Sequence, residues 1–160
     1  MSPGQLLDQH RETVIADWVD YNGHMNVAYY VLVFDHATDT LLDHIGLGDV
    51  HRDATGESVF VVEAHVTYER EAMEGDALRV TTQILDADEK RIHAFHCMYA
   101  GDEEAVVATN ELMILSVNLD TRKTTPFGDP IAERLEALKG DHSLIPRPPQ
   151  AGRSVGIRRR

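Results

Sequence analysis

One stretch limits the possible folds more than any other. From Asn26 to Gly46 the chain reads NVAYYVLVFDHATDTLLDHIG. Val27, Tyr30, Val31, Phe34, Leu41, Leu42 and Ile45 fall at the spacing of a helix that buries one face. Asn26 is placed to cap its start, and Gly46 to end it in a left-handed position. A helix of roughly 20 residues with so broad an apolar stripe belongs at the centre of a core. The rest of the chain must cover that stripe.

The following residues have the pattern to do so. Segments 58–69, 77–86, 90–100 and 104–118 are strand-like, and Gly75-Asp76, Asp86-Ala87-Asp88 and Gly101-Asp102 mark turns between them. Turns this short force antiparallel neighbours. In 58–69, Phe60, Val62, Ala64, Val66 and Tyr68 share one face, with Glu63, His65 and Thr67 on the other. In 77–86, Leu78, Val80, Thr82 and Ile84 share a face. Residues 11–19, RETVIADWV, predict a first strand, and residues 46–57 a loop over a pocket. A short helix is expected at 131–139, from Ile131, Leu135 and Leu138. The sum is an α+β fold: a five-stranded antiparallel sheet around one long helix, with a short C-terminal helix. Residues 1–140 read as one domain, and 141–160, polar and proline-rich, as an extended or disordered tail.

Composition narrows the function. No apolar run reaches the roughly 20 residues a membrane helix needs. The N-terminus lacks the basic-then-apolar order of a signal peptide. A single cysteine, Cys97, rules out an internal disulfide, so a cytoplasmic setting is expected. The net charge of −12 argues against nucleic acid, the run Arg158-Arg159-Arg160 being too small a patch.

The loop DYNGHM places Asp20 just ahead of the helix. A helix N-terminus offers unpaired amides and a positive dipole end, and an adjacent carboxylate can attack a carbonyl or deprotonate a water. Gly23 lets backbone approach closely. The same residues also make an Asx turn and a cap, and spacing alone leaves both readings open. Other signals fail. His93 and His96 point to opposite faces of a strand, and His36 with Asp39 makes no convincing metal pair. Cys97 sits mid-strand like a small core residue. There is no G-x-S-x-G, and Gly46-Leu47-Gly48 is no dinucleotide fingerprint. No metal or cofactor site is read from the sequence.

The pattern Asp20, Tyr21, Asn22, Gly23, His24, Met25, Asn26, followed by a Tyr-rich helix and by VEAHVTYEREAMEGD, resembles the hot-dog thioesterase family typified by 4-hydroxybenzoyl-CoA thioesterase. The likeness runs from about residue 11 to 118. It implies a hot-dog fold that hydrolyses an acyl-CoA thioester, with coenzyme A as part of the substrate. It also implies a homodimer or homotetramer, sheets joined edge to edge and sites between subunits. Asp20 takes the catalytic place, with Gly23, His24 and Asn26 around it. Many relatives carry a second aspartate two residues earlier, where this chain has Trp18. The wording WVDYNGHMN with FDHATD most resembles the betainyl-CoA thioesterases, which implies a trimethylammonium group to be held. Trp18, Tyr21, Tyr29, Phe60 and Glu63 are the candidate cage, since aromatic faces and a carboxylate suit a quaternary cation. Tyr30 is a further candidate substrate contact, and Lys90 and Arg91 are candidates for the CoA phosphates. For each, packing or a solvated strand end is the competing reading. Two rivals keep the fold: an acyl-CoA-binding module without catalysis, and a dehydratase or hydratase.

Overall fold

The computed structural model of the chain describes residues 4–102 and 104–160. The long helix, α1, spans Val27–Ile45. The Asn26 side chain accepts the Ala28 N–H at 2.9 Å, and Gly46 takes a left-handed φ of 87°. The buried stripe is Tyr30, Val33, Phe34, Ala37, Thr38, Leu41 and Ile45. It is rotated from the expected one: Val27 and Val31 are exposed and Leu42 is half-buried, their places taken by Val33 and Ala37. Six antiparallel strands wrap this face: β1 (Leu7–Thr13), β2 (Glu57–Tyr68), β3 (Ala77–Ala87), β4 (Arg91–Ala100), β5 (Val106–Asn118) and the two-residue β6 (Lys123–Thr124). The order is β1-β3-β4-β5-β2, with β6 on β5.

Three expectations need correction. The first strand is Leu7–Thr13, not 11–19, because its pairing with β3 ends at Thr13↔Ala77. Beyond that point the chain must swing toward the helix, and Ala16–Trp18 form one 3-10 turn. The predicted loop 46–57 contains a second helix, α2 (Asp49–Thr55), which buries no residue and so carries no apolar period to read. In β2 the register shifts between Val61 and Glu63, a bulge that breaks the expected alternation. Phe60, Val61 and Val62 are consequently all exposed, at 45%, 44% and 56%.

The core divides along α1. Around its first half lie Val14, Met25, Tyr30, Phe34, Leu78 and Met98, among others. Around its second half lie Leu41, Ile45, Ile84, Ile114 and the apolar face of α3 (Asp129–His142). α3 is longer than expected but buries Ile131, Leu135 and Leu138 as read from the sequence. Its His142 Nδ1 accepts the Ile84 N–H at 2.8 Å. Past α3 the chain crosses to the far side of the molecule. Arg147 donates to Leu85 O, Gln150 to Glu69 Oε1 at 2.8 Å, and Gly152 N–H to Glu111 Oε1 at 2.8 Å.

Between the two core halves sits a buried polar layer. His96 is 0% exposed, with Nε2 3.0 Å from Thr38 Oγ1 and Nδ1 2.8 Å from Thr82 Oγ1. Thr38 gives its own proton to Phe34 O, so His96 Nε2 donates to it and Nδ1 accepts from Thr82. A neutral imidazole is fully satisfied there. Burial, with His10 nearby, lowers its pKa from 6.5 to about 3. The unfolded chain therefore takes up this proton first. Stability should fall as pH drops from about 6.5 toward 3, by up to roughly 1.4 kcal/mol per pH unit from this one group. Urea unfolding of the wild type and of His96→Gln between pH 7 and pH 5 checks this; the variant should show the shallower slope.

Candidate active site

The loop before α1 is held by backbone pairing on three sides. Asp20 N–H donates to His24 O at 3.0 Å, Gly23 N–H to Asp20 O at 2.9 Å, and Asn26 N–H to Trp18 O at 2.9 Å. Gly23 adopts φ 81°, a region that costs a side chain energy. Met25 N–H reaches Ala72 O at 2.8 Å, tying the loop to the segment after β2. The Asp20 side chain completes the turn: Oδ1 accepts Asn22 N–H at 2.9 Å and His24 N–H at 3.1 Å. Among the described residues no donor reaches Oδ2, and no cation pairs with this carboxylate. Asp20 is exposed and lines a cleft of about 470 Å³ with His24, Asn26, Val27, Tyr30, Tyr68 and Arg70.

The mouth of α1 opens into this cleft. Of its first amides, Ala28 N–H is taken by Asn26 Oδ1 and Tyr29 N–H by Asn26 O. Among the described residues Val27 N–H, in the first turn, has no hydrogen-bond partner. A carboxylate oxygen and an amide donor at a positive helix end thus meet in one solvent-open cleft. The opposite wall is a strap. The buried Tyr30 hydroxyl accepts Ala72 N–H at 2.9 Å and donates to Arg70 O at 3.4 Å. Its pKa is raised, chiefly by burial, so it stays a neutral donor. Tyr68 packs edge-on to it at 5.3 Å and donates to Val27 O at 3.3 Å. His24 Nε2 lies 3.2 Å from Glu71 Oε2.

The structure brings Asp20, Gly23, His24, Asn26 and Tyr30 together and leaves the other candidates elsewhere. Trp18 stacks on Tyr29 with centroids 5.7 Å apart, beside the cleft. Tyr21 is 97% exposed at the loop tip. The register puts Tyr68↔Ala108 at one end of β2 and Phe60↔Leu115↔Arg91 at the other, so Phe60, Lys90 and Arg91 are remote from Asp20 within one chain. Arg91 is paired with Asp88, whose carboxyl it holds down at about 2. Glu63 lines a depression with His65, His93 and Glu111. Phe60 instead lines a larger cleft of about 680 Å³ between α1, α2 and β2, with Asp35, Asp39, Asp43 and Asp49. Burial, then Asp35, raises the Asp39 pKa. The four-residue spacing of Asp35, Asp39 and Asp43 marks one helix face in the sequence, but the cleft they line exists only once α2 and β2 pack beside α1. Arg70, a weaker sequence candidate for the CoA phosphates than Lys90 and Arg91, is the one that lines the Asp20 cleft, whereas no sequence pattern marked Glu71. Cys97 has its thiol pushed up to about 11 by burial, as suits a packed residue and not a nucleophile.

The family model of the thioesterase-like superfamily matches residues 14–135, and the chain belongs to that superfamily. It is 41% identical to a betainyl-CoA thioesterase of Pseudomonas aeruginosa over 96% of each chain. It is 38% identical to an L-carnitine dehydrogenase/betainyl-CoA thioesterase of Rhizobium meliloti, covering 99% of this chain but 33% of that longer protein. A Staphylococcus aureus protein solved in complex with CoA superposes with a TM-score of 0.90 at 29% identity, over 99% of both chains. The fold is the hot-dog fold, and the chain is a thioester hydrolase.

The strap gives a direct prediction. Tyr30→Phe leaves the buried Ala72 N–H without an acceptor and should cost about 1–3 kcal/mol in urea unfolding. The same variant should lower kcat/KM for thioester hydrolysis, because the Arg70–Ala72 wall loses its anchor.

Proposed function

We propose that Asp20 is the catalytic carboxylate of an acyl-CoA thioesterase and that its substrate is a short cationic acyl-CoA, betainyl-CoA in the first instance. The observation that carries the reading is the half-tethered Asp20: two amides fix Oδ1, and Oδ2 is left without a donor beside the α1 mouth. The carboxylate acts on the thioester carbonyl, directly or through a water it deprotonates. Negative charge gathers on the carbonyl oxygen, where Val27 N–H and the helix dipole oppose it; one such donor is worth roughly 3–4 kcal/mol in comparable sites. The C–S bond then breaks and CoA leaves as the thiolate, which needs no strong acid because a thiol's pKa is only about 8.5. His24 and Asn26 hold the loop and the helix mouth in place. Arg70, on the wall, brings positive charge toward an anionic CoA.

A betainyl group carries its cation two bonds from the carbonyl carbon. Within one chain the Asp39 carboxylate lies about 18 Å along α1 from Val27, at 1.5 Å per residue. One chain cannot hold both ends of this acyl group with these residues. β2 is an edge strand of 12 residues with Phe60, Val61 and Val62 exposed, a surface suited to pairing with a second β2. Antiparallel pairing about Glu63–Ala64 lays Phe60 of one copy beside Val66–Tyr68 of the other. The Phe60–Asp39 cleft of one copy then approaches the Asp20 cleft of its neighbour, and the aromatic face and acidic row suit a trimethylammonium group. Phe60, Lys90 and Arg91, remote in one chain, come to the site in trans.

Thiol release from betainyl-CoA tests the chemistry: Asp20→Asn should lose at least a hundredfold in kcat with KM little changed, and retention within about threefold would refute the assignment. Asp39→Asn should raise KM for betainyl-CoA but not for acetyl-CoA. Val62→Asp should give a monomer by light scattering and abolish turnover; an active monomer would refute the site in trans.

A further inference from the structure

Away from the Asp20 cleft, a second group of side chains converges between β1 and α1. His10 and Glu12 alternate onto the same face of β1, and the register shift between Leu7 and His10 turns them toward the helix. His10 Nε2 lies 2.7 Å from Glu12 Oε2. His36 Nδ1, from α1, lies 2.9 Å from Glu12 Oε1 and 3.0 Å from Oε2. Three ligand-type atoms from two elements lie within 4.8 Å of one another. The rings are tilted by 58°, with centroids 6.4 Å apart, so they converge on the carboxylate and do not stack.

The proton inventory of this cluster does not close with neutral groups. Thr40 Oγ1 donates its single proton to His36 O at 3.2 Å, as helical threonines do. It therefore accepts from His10 Nδ1, 3.0 Å away. The His10 Nε2 that faces the Glu12 oxygen at 2.7 Å then needs a positive charge between the two atoms, a proton or a metal ion in its place. A hydrogen bond from Thr40 to the far nitrogen is also how metal-bound imidazoles are oriented. Metal–ligand bonds of about 2.0–2.2 Å set tetrahedral ligand atoms roughly 3.3–3.4 Å apart, reached here by a small rotation of Glu12. The side chains are 14%, 19% and 39% exposed, so the group is reachable from solvent.

We propose that His10, Glu12 and His36 bind a divalent transition metal of the Zn²⁺ class, clamping the edge strand β1 to α1. Two imidazoles and one carboxylate are a donor set for zinc, and the acidic chain favours the cation. His36 is roughly 14 Å along the helix from Val27, so this site is separate from the thioester chemistry. It was invisible in the sequence because His10 lies ahead of the strand read there and meets His36 only through the β1–α1 packing.

The test is a titration of the full chain, stripped with a chelator and returned to buffer, with Zn²⁺ in competition with a fluorescent chelator. Co²⁺ absorption reports the ligand geometry. One equivalent per chain with a Kd in the micromolar range or tighter is expected, together with a rise in thermal midpoint. Glu12→Gln and His36→Gln should each weaken binding at least tenfold and lose that rise, and Thr40→Val should weaken it about tenfold. His93→Gln, which removes the separate His93–Glu111 pair, should bind as the wild type does. No stoichiometric binding, or binding that both Glu12→Gln and His36→Gln retain while folded by circular dichroism, overturns the proposal.

Discussion

Burial of one face of α1 against the sheet is the constraint from which the rest follows. It is an apolar interaction with polar consequences. Once Tyr30, Phe34, Leu41 and Ile45 are buried, the direction of the helix axis is set, and so is the point where its first turn emerges. That point is where the chain can present unpaired amides to a ligand. The cap at Asn26 ends the helix there, and the Asp20 turn is packed against the same place by Trp18 O and Ala72 O. The candidate site is therefore a by-product of how the core terminates.

The polar groups inside the molecule are arranged to be satisfied, not charged. His96 lies between two threonines and against the Phe34 ring, where a neutral imidazole spends both nitrogens. Tyr30 uses its buried hydroxyl as donor and acceptor at once. Both join α1 to the sheet or to its connections, so they fix the helix position along its axis, which apolar packing alone leaves looser. Asp20 differs, having one oxygen tied and the other open. Buried groups here serve position, and the half-free exposed one is the group proposed for chemistry.

The edge strands show how the fold is left incomplete. β1 is joined to α1 by the His10–Glu12–His36 cluster and to the rest through β3. Among the described residues β2 has no such cover, and it carries its apolar side chains outward around a bulge. A long exposed edge of this kind is avoided in proteins that remain single. The open Asp20 cleft and the acidic cleft lie at opposite ends of that strand.

Much of this was determined by local sequence. The helix from Val27 to Ile45, its two caps, the four long strands and the short helix follow from apolar period and turn residues, which act over a few positions. The loop Asp20–Asn26 was legible for the same reason, since its turn and cap are made by neighbours in the chain. Tertiary structure decided the rest. The rotation of the α1 stripe depends on which side chains the sheet can accept, so Val33 and Ala37 are buried where Val27 and Val31 are not. The end of β1 depends on where β3 begins, and the bulge in β2 on its register with β5. Helix α2 buries nothing, so no apolar period marked it. The Tyr30–Ala72 bond spans 42 positions and the Glu12–His36 contact 24. Contacts across such separations are set by how layers pack, and no pattern within a window of the chain encodes them.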